Sequence, residues 1–121
     1  MQRTNEQAVA LLDALYPHLG RRDLIGYVCA RNVRAISDAV ADYVQVRNAL
    51  LSEYGGCRED GTPYITPEMD GYDEFMSRYE PIASVEQELT IMPLRYTDVV
   101  GELTGEEILD IDWMQIGRAH V

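Results

Sequence analysis

The chain has 121 residues, 46% of them apolar, and a formal net charge of −11. That is one domain's worth of sequence with a modest core. An acidic excess of this size argues against nonspecific binding to nucleic acid or to an anionic membrane, and no apolar run approaches the 18 or so residues that a membrane span needs.

The charge is uneven. Residues 1–50 carry six Arg against five acids, a net of +1; residues 51–121 carry four Arg against sixteen acids, a net of −12. An acidic half of this kind is a solvated surface in the plainest reading; in the sharper one it imitates nucleic acid or meets a basic partner. The chain has ten Arg and no Lys, which reads as a GC-rich coding sequence. Two cysteines, Cys29 and Cys57, do not make a disulfide framework. With no signal peptide, free thiols in a reducing cytosol are expected.

Thr4 followed three residues later by Gln7 fits a capping box, and Ala8, Leu11, Leu12, Leu15 and Leu19 fall on one face of a helix from about Asn5 to Tyr16. Pro17 and Gly20 end it. The run from Tyr27 to Tyr54 contains no Gly or Pro, and its stripe of Cys29, Val33, Ile36, Val40, Tyr43, Leu50 and Tyr54 repeats in steps of four and three. This predicts one long amphipathic helix over about 26–54, roughly 42 Å at 1.5 Å per residue. Arg47 is the one polar residue in the stripe. A short polar turn before it, Gly20 to Asp23, makes the first two helices an antiparallel hairpin. Gly55-Gly56 is expected to supply a left-handed C-cap.

Beyond the hairpin the chain is turn-rich. Tyr64-Ile65-Thr66 reads as a short edge strand, and Thr66-Pro67 as the start of a third helix carrying Tyr72, Phe75, Met76 and Tyr79, closed by Pro81. Ser84 to Leu94 alternates Val85, Leu89 and Ile91 with polar residues; it predicts a strand that pairs with 64–66 in a small two-stranded ribbon resting on helices. A helical turn over 96–103 follows. Thr104 and Glu107 form a second capping box, opening a terminal helix that bears Ile108, Leu109, Ile111, Trp113 and Met114. The fold class is therefore α+β, predominantly α-helical.

The tail from Gln115 to Val121, QIGRAHV, is what one frame of a common short-read sequencing adapter encodes. It reads as a non-native tail of 115–121 after a single domain over 1–114, and His120 is discounted with it.

Little here carries chemistry. His18 at a helix end has no nucleophile and orienting group in its vicinity, and it reads as a surface residue; Cys29, Cys57 and His18 share no zinc-ligand spacing. Glu106, Glu107 and Asp110 crowd the terminal helix, where capping and the helix dipole explain acids as well as a metal does. No enzyme, metal or cofactor is expected. The basic group Arg21, Arg22, Arg31 and Arg34 either pairs with the downstream acids or meets an anionic ligand or acidic neighbour.

Four stretches, TNEQAVALLDAL, GYVCARNVRAISDAV, VEQELTIMPL and LTGEEILDIDWM, together resemble a family of small uncharacterised proteins of tailed bacteriophages and prophages. The resemblance covers most of residues 4–114 and implies no activity, cofactor or site to carry over. In such relatives the chain ends soon after the position of Met114.

The expected function is that of a non-enzymatic phage or prophage accessory protein acting by protein–protein contact. It would self-associate or dock a phage or host protein along the long helix, with Arg31, Arg34, Tyr43, Arg47, Leu50 and Tyr54 as interface candidates. The alternative is a counter-defence protein, either an acidic nucleic-acid mimic or a sponge holding a nucleotide signal between Arg31, Arg34 and tyrosines. Neither reading calls for direct nucleic-acid binding through a basic surface, or for a membrane.

Overall fold

A computed structural model describes residues 1–116. The tail assigned as non-native is described only at Gln115–Ile116, and the rest of it, 117–121 with His120, lies outside the described residues. The fold class is the expected one, mostly helical with small strand pairs at the edges.

Helix α1 (Asn5–Leu15) starts at the Thr4 capping box, where the Gln7 amide donates to Thr4 Oγ1 at 3.2 Å and the Thr4 amide to Gln7 Oε1 at 3.0 Å. Two of the orphan N–H groups at the helix start are thereby satisfied. A 3₁₀ turn over Tyr16–His18 holds Pro17. Helix α2 (Leu24–Ala39) begins earlier than expected, because Asp23 caps it by accepting from the Gly26 amide at 3.1 Å.

The expected long helix is two helices. Helix α2 stops at Ala39 and α3 (Ala41–Tyr54) follows, with Val40 between them at φ −105°, ψ 8°. The bonds on either side survive, Val40 N to Ile36 O at 3.1 Å and Val44 N to Val40 O at 2.9 Å. No Gly or Pro marks the interruption, so periodicity alone misses it. Its cause is tertiary: α2 packs on α1, whereas α3 packs on α4 (Tyr72–Ala83). Val40 itself is buried in the shared core.

Three sequence-based boundaries need correction. Helix α4 starts at Tyr72, not at Pro67, and it runs through Pro81 to Ala83. Gly55 is extended, at φ −103°, instead of left-handed. A side chain is excluded there for a different reason, since a Cβ would sit 2.1 Å from the Tyr64 carbonyl oxygen.

The strand pairing also differs. Strand β1 (Gln2–Thr4) pairs antiparallel with β4 (Glu86–Glu88), and β2 (Gly56–Cys57) with β3 (Pro63–Tyr64), so the two segments expected to form one ribbon sit in separate pairs. Segments this short carry too few alternations to specify register. Val85, expected inward, is exposed, while Leu89 is buried. A third pair, parallel, joins β5 (Leu94–Arg95) to β6 (Gln115–Ile116). Two short helices, α5 (Tyr96–Val99) and α6 (Gly105–Asp110), complete the chain's C-terminal side; the Thr104–Glu107 capping box is present. The terminal helix is shorter than expected, with Ile111 and Met114 buried and Leu109 facing solvent.

Between β4 and β5 the backbone is irregular, and a buried side chain holds it. Asn32, 1% exposed on α2, donates from Nδ2 to the Met92 carbonyl at 2.9 Å and accepts from the Met92 amide at 2.7 Å. One amide side chain thus satisfies both polar groups of a backbone residue that no strand serves. The core of Leu15, Ile25, Val28, Ile36, Leu94, Val99, Ile111 and Met114 closes around it.

Replacing Asn32 by Ala should cost about 2–4 kcal/mol, from the unpaired Met92 groups and the space left behind. Gly55→Ala should cost more than about 2 kcal/mol, while Gly105→Ala, with nothing within 4 Å of the new Cβ, should stay within about 0.5 kcal/mol. Urea unfolding followed by far-UV circular dichroism measures all three; equal midpoints for the two glycine variants would contradict the close approach.

Candidate functional site

The six interface candidates separate into two groups. Tyr43 and Leu50 are buried, at 5% and 9% exposure, so the seam beyond Val40 is covered within one chain. Phe75 and Tyr79 of α4 do much of this, with Phe75 stacked on Tyr79 at 5.2 Å between centroids and Tyr79 tilted against Tyr43 at 6.2 Å. Tyr54 and Leu51 are half-buried. Tyr43 and Leu50 are therefore core residues, a correction to their place among the interface candidates.

Behind that seam lies a polar relay. The Tyr43 and Tyr79 hydroxyls are 2.8 Å apart, and the Tyr79 hydroxyl donates to Glu6 Oε2 at 2.9 Å. Burial foremost, then the bonds to Tyr43 and Glu6, raises the Tyr79 phenol well above its ordinary value. It stays a neutral donor that ties α4 to α1 and α3.

Arg47 also proves not to be a defect in the stripe. It is half-buried, with its guanidinium 5.6 Å from the Tyr43 ring centroid, close enough for a cation–π contact. Its hydrogen bonds are long ones, 3.4 and 3.3 Å, to the neutral Asn48 Oδ1.

Arg31 and Arg34 are exposed on α2, and with Leu24, Tyr27 and Asp38 they line one face at helical spacing. Leu24 and Tyr27 are 49% and 53% exposed, high for large apolar side chains on one stripe. Arg31 Nη1 donates to the Tyr27 hydroxyl at 3.2 Å, with the guanidinium 6.0 Å from that ring. Of the four clustered arginines, only Arg21 joins carboxylates. It meets Asp23 at 2.6 Å and Glu102 at 3.1 Å. The Arg21 bond, then the Gly26 amide, holds the Asp23 carboxyl below its usual range. Among the described residues, Arg22, Arg31 and Arg34 pair with no acid, so the expected intramolecular neutralisation holds for Arg21 alone.

The remaining chemical groups are dispersed. His18, expected at the surface, is 4% exposed, with Nδ1 3.9 Å from Glu107 Oε2. Glu107 is committed to its cap, and the Thr104 amide is the first cause of its lowered pKa. Among the described residues no group of three or more His, Cys, Asp or Glu side chains is placed to hold a metal ion. No helix among them is long and apolar enough to cross a membrane. Sequence reasoning missed the Asn32 clamp and the burial of His18; an Asn inside the apolar stripe of α2 was the available signal for the first.

Searches against protein-family models, curated proteins and solved structures found no match.

The two thiols differ sharply. Cys29 is fully buried, and burial pushes its thiol up to about 11, whereas Cys57 is exposed, with Sγ 3.1 Å from the Gly61 carbonyl oxygen. A raised pKa keeps Cys29 protonated through the neutral range. At pH 8 a disulfide reagent such as Ellman's should titrate one thiol in the folded protein and two in urea; two fast equivalents without urea would contradict the burial of Cys29.

Proposed function

We propose that this chain is a non-enzymatic interaction protein that docks an acidic partner protein on the solvent face of α2, through Leu24, Tyr27, Arg31 and Arg34. One observation carries the reading: Arg31 and Arg34, which pair with no acid among the described residues, stand beside two large exposed apolar side chains on the same helical face. Arg and aromatic residues of this kind are the side chains that dominate interface energetics. Asp38 at the far end of the stripe favours a partner whose acidic region is short. A phage or prophage accessory role inside a bacterial host cell is part of the same proposal.

A second reading rests on the other half of the chain. Most of its acids are exposed, and Glu74, Glu88, Glu102 and Glu107 lie within 4.0 Å of a basic nitrogen. That surplus supports a counter-defence role as an acidic nucleic-acid mimic, for which the partner is basic instead of acidic. The Tyr27–Arg31 stack supports the nucleotide-sponge version, which requires only a small anion.

Co-expression of the tagged chain with proteins encoded by the flanking genes tests the first reading, using Arg31→Glu/Arg34→Glu. The expected result is a retained partner that the double variant loses at unchanged melting temperature, with retention falling steeply between low and moderate salt. Equal retention by the double variant overturns it, as does the absence of any retained partner. A partner lost instead on neutralising Asp73, Glu74 and Glu80 moves the assignment to the mimic.

A further inference from the structure

The interruption at Val40 has a second product, a groove of about 430 Å³ between α1 and the α2–α3 corner. That volume lies in the range of small-molecule sites. Its most buried lining residues are Leu12 and Val40, flanked by the half-buried Val9 and Val44. The polar side chains in the lining are those of Tyr16, Ser37 and Arg47. From Val9 on α1 to Tyr16 at the start of the 3₁₀ turn the lining spans seven residue steps or about 10 Å, the length of a short alkyl chain.

The polar groups share a property. Among the described residues, Arg47 has no carboxylate within 4.0 Å, and the hydroxyls of Tyr16 and Ser37 make no hydrogen bond. Arg47 is nonetheless held in place, because its guanidinium stands over Tyr43, whose hydroxyl is fixed by Tyr79. A positioned cation beside an apolar trough, in a chain of net charge −11, is complementary to one kind of occupant.

We propose that this groove binds a monoanionic amphiphile, an alkyl carboxylate of roughly eight to ten carbons. The tail lies against Leu12, Val40, Val9 and Val44, and the carboxylate accepts from Arg47, with Tyr16 or Ser37 as a second donor. The charge-assisted bond sets the orientation, and the apolar contact supplies most of the affinity. This site is separate from the α2 face and does not depend on it.

Isothermal titration calorimetry with sodium decanoate, below its micellar range, tests the proposal against decyltrimethylammonium bromide. Decanoate should bind at one site per chain and at least tenfold more tightly than the cation. Arg47→Gln should weaken decanoate by about tenfold and leave the cation unchanged, whereas Arg47→Lys should retain most of the affinity. Val44→Trp, which fills the trough, should abolish binding in a protein whose circular dichroism is native. No decanoate binding, equal affinity for the two head groups, or unchanged decanoate affinity in Arg47→Gln overturns the proposal, and the last of these does not depend on the Trp variant folding.

Discussion

A helical stripe cannot face two partners that lie on different sides, and the segment from Leu24 to Tyr54 has two. Its first half must bury Ile25, Val28, Cys29 and Ile36 against α1 and α5; its second must bury Tyr43 and Leu50 against α4. The one-residue departure at Val40 reconciles them. It keeps the hydrogen bonds on both sides and lets each half present its apolar residues to a different neighbour. The burial of the expected interface residues, the seat of Arg47 and the groove at the corner all depend on that change of direction.

The second organising element is polar. Asn32 uses both ends of its amide on one backbone residue sixty positions away, Met92, and its Nδ2 also reaches the Met114 sulfur at 3.4 Å. Leu89, tied by its backbone to Met1 at 2.8 and 3.2 Å, and Leu94, the first residue of β5, are buried on either side. Between them the irregular segment 90–93 is fixed by a helix side chain in place of a sheet ladder. Because the strand pairs are two or three residues long, this clamp and the apolar contacts give the C-terminal half most of its order.

Features set by near neighbours were legible in the sequence. Both Thr-centred capping boxes stand where the spacing put them, and the apolar periodicity over about 26–54 falls within the helical stretch of α2 and α3. Features set by distant residues were not. The break at Val40 answers to α4, thirty residues on; the pairing of Gln2–Thr4 with Glu86–Glu88 has no local signature at all. The site divides along the same line. Arg31 and Arg34 face solvent, as an amphipathic helix requires, whereas Tyr43 and Leu50 belonged to a stripe that another helix covers. Gly55 shows the same division at one residue, since a glycine expected for its handedness is needed for the nearness of a carbonyl oxygen.

The pairing of β1 with β4 also bears on the order in which the chain acquires its structure. The α1–α2 hairpin joins residues close in sequence, so it can form by itself as the chain lengthens. The edge from Gln2 to Thr4 has to wait until Glu86–Glu88 exists, and closing a loop of that length carries an entropic penalty that local helix contacts do not meet. The edge from Gln2 to Thr4 is therefore secured later than the hairpin beside it. Its exposed backbone stays unpaired until residues 86–88 are made, with charged Arg3 at its centre as a guard against pairing with the wrong strand.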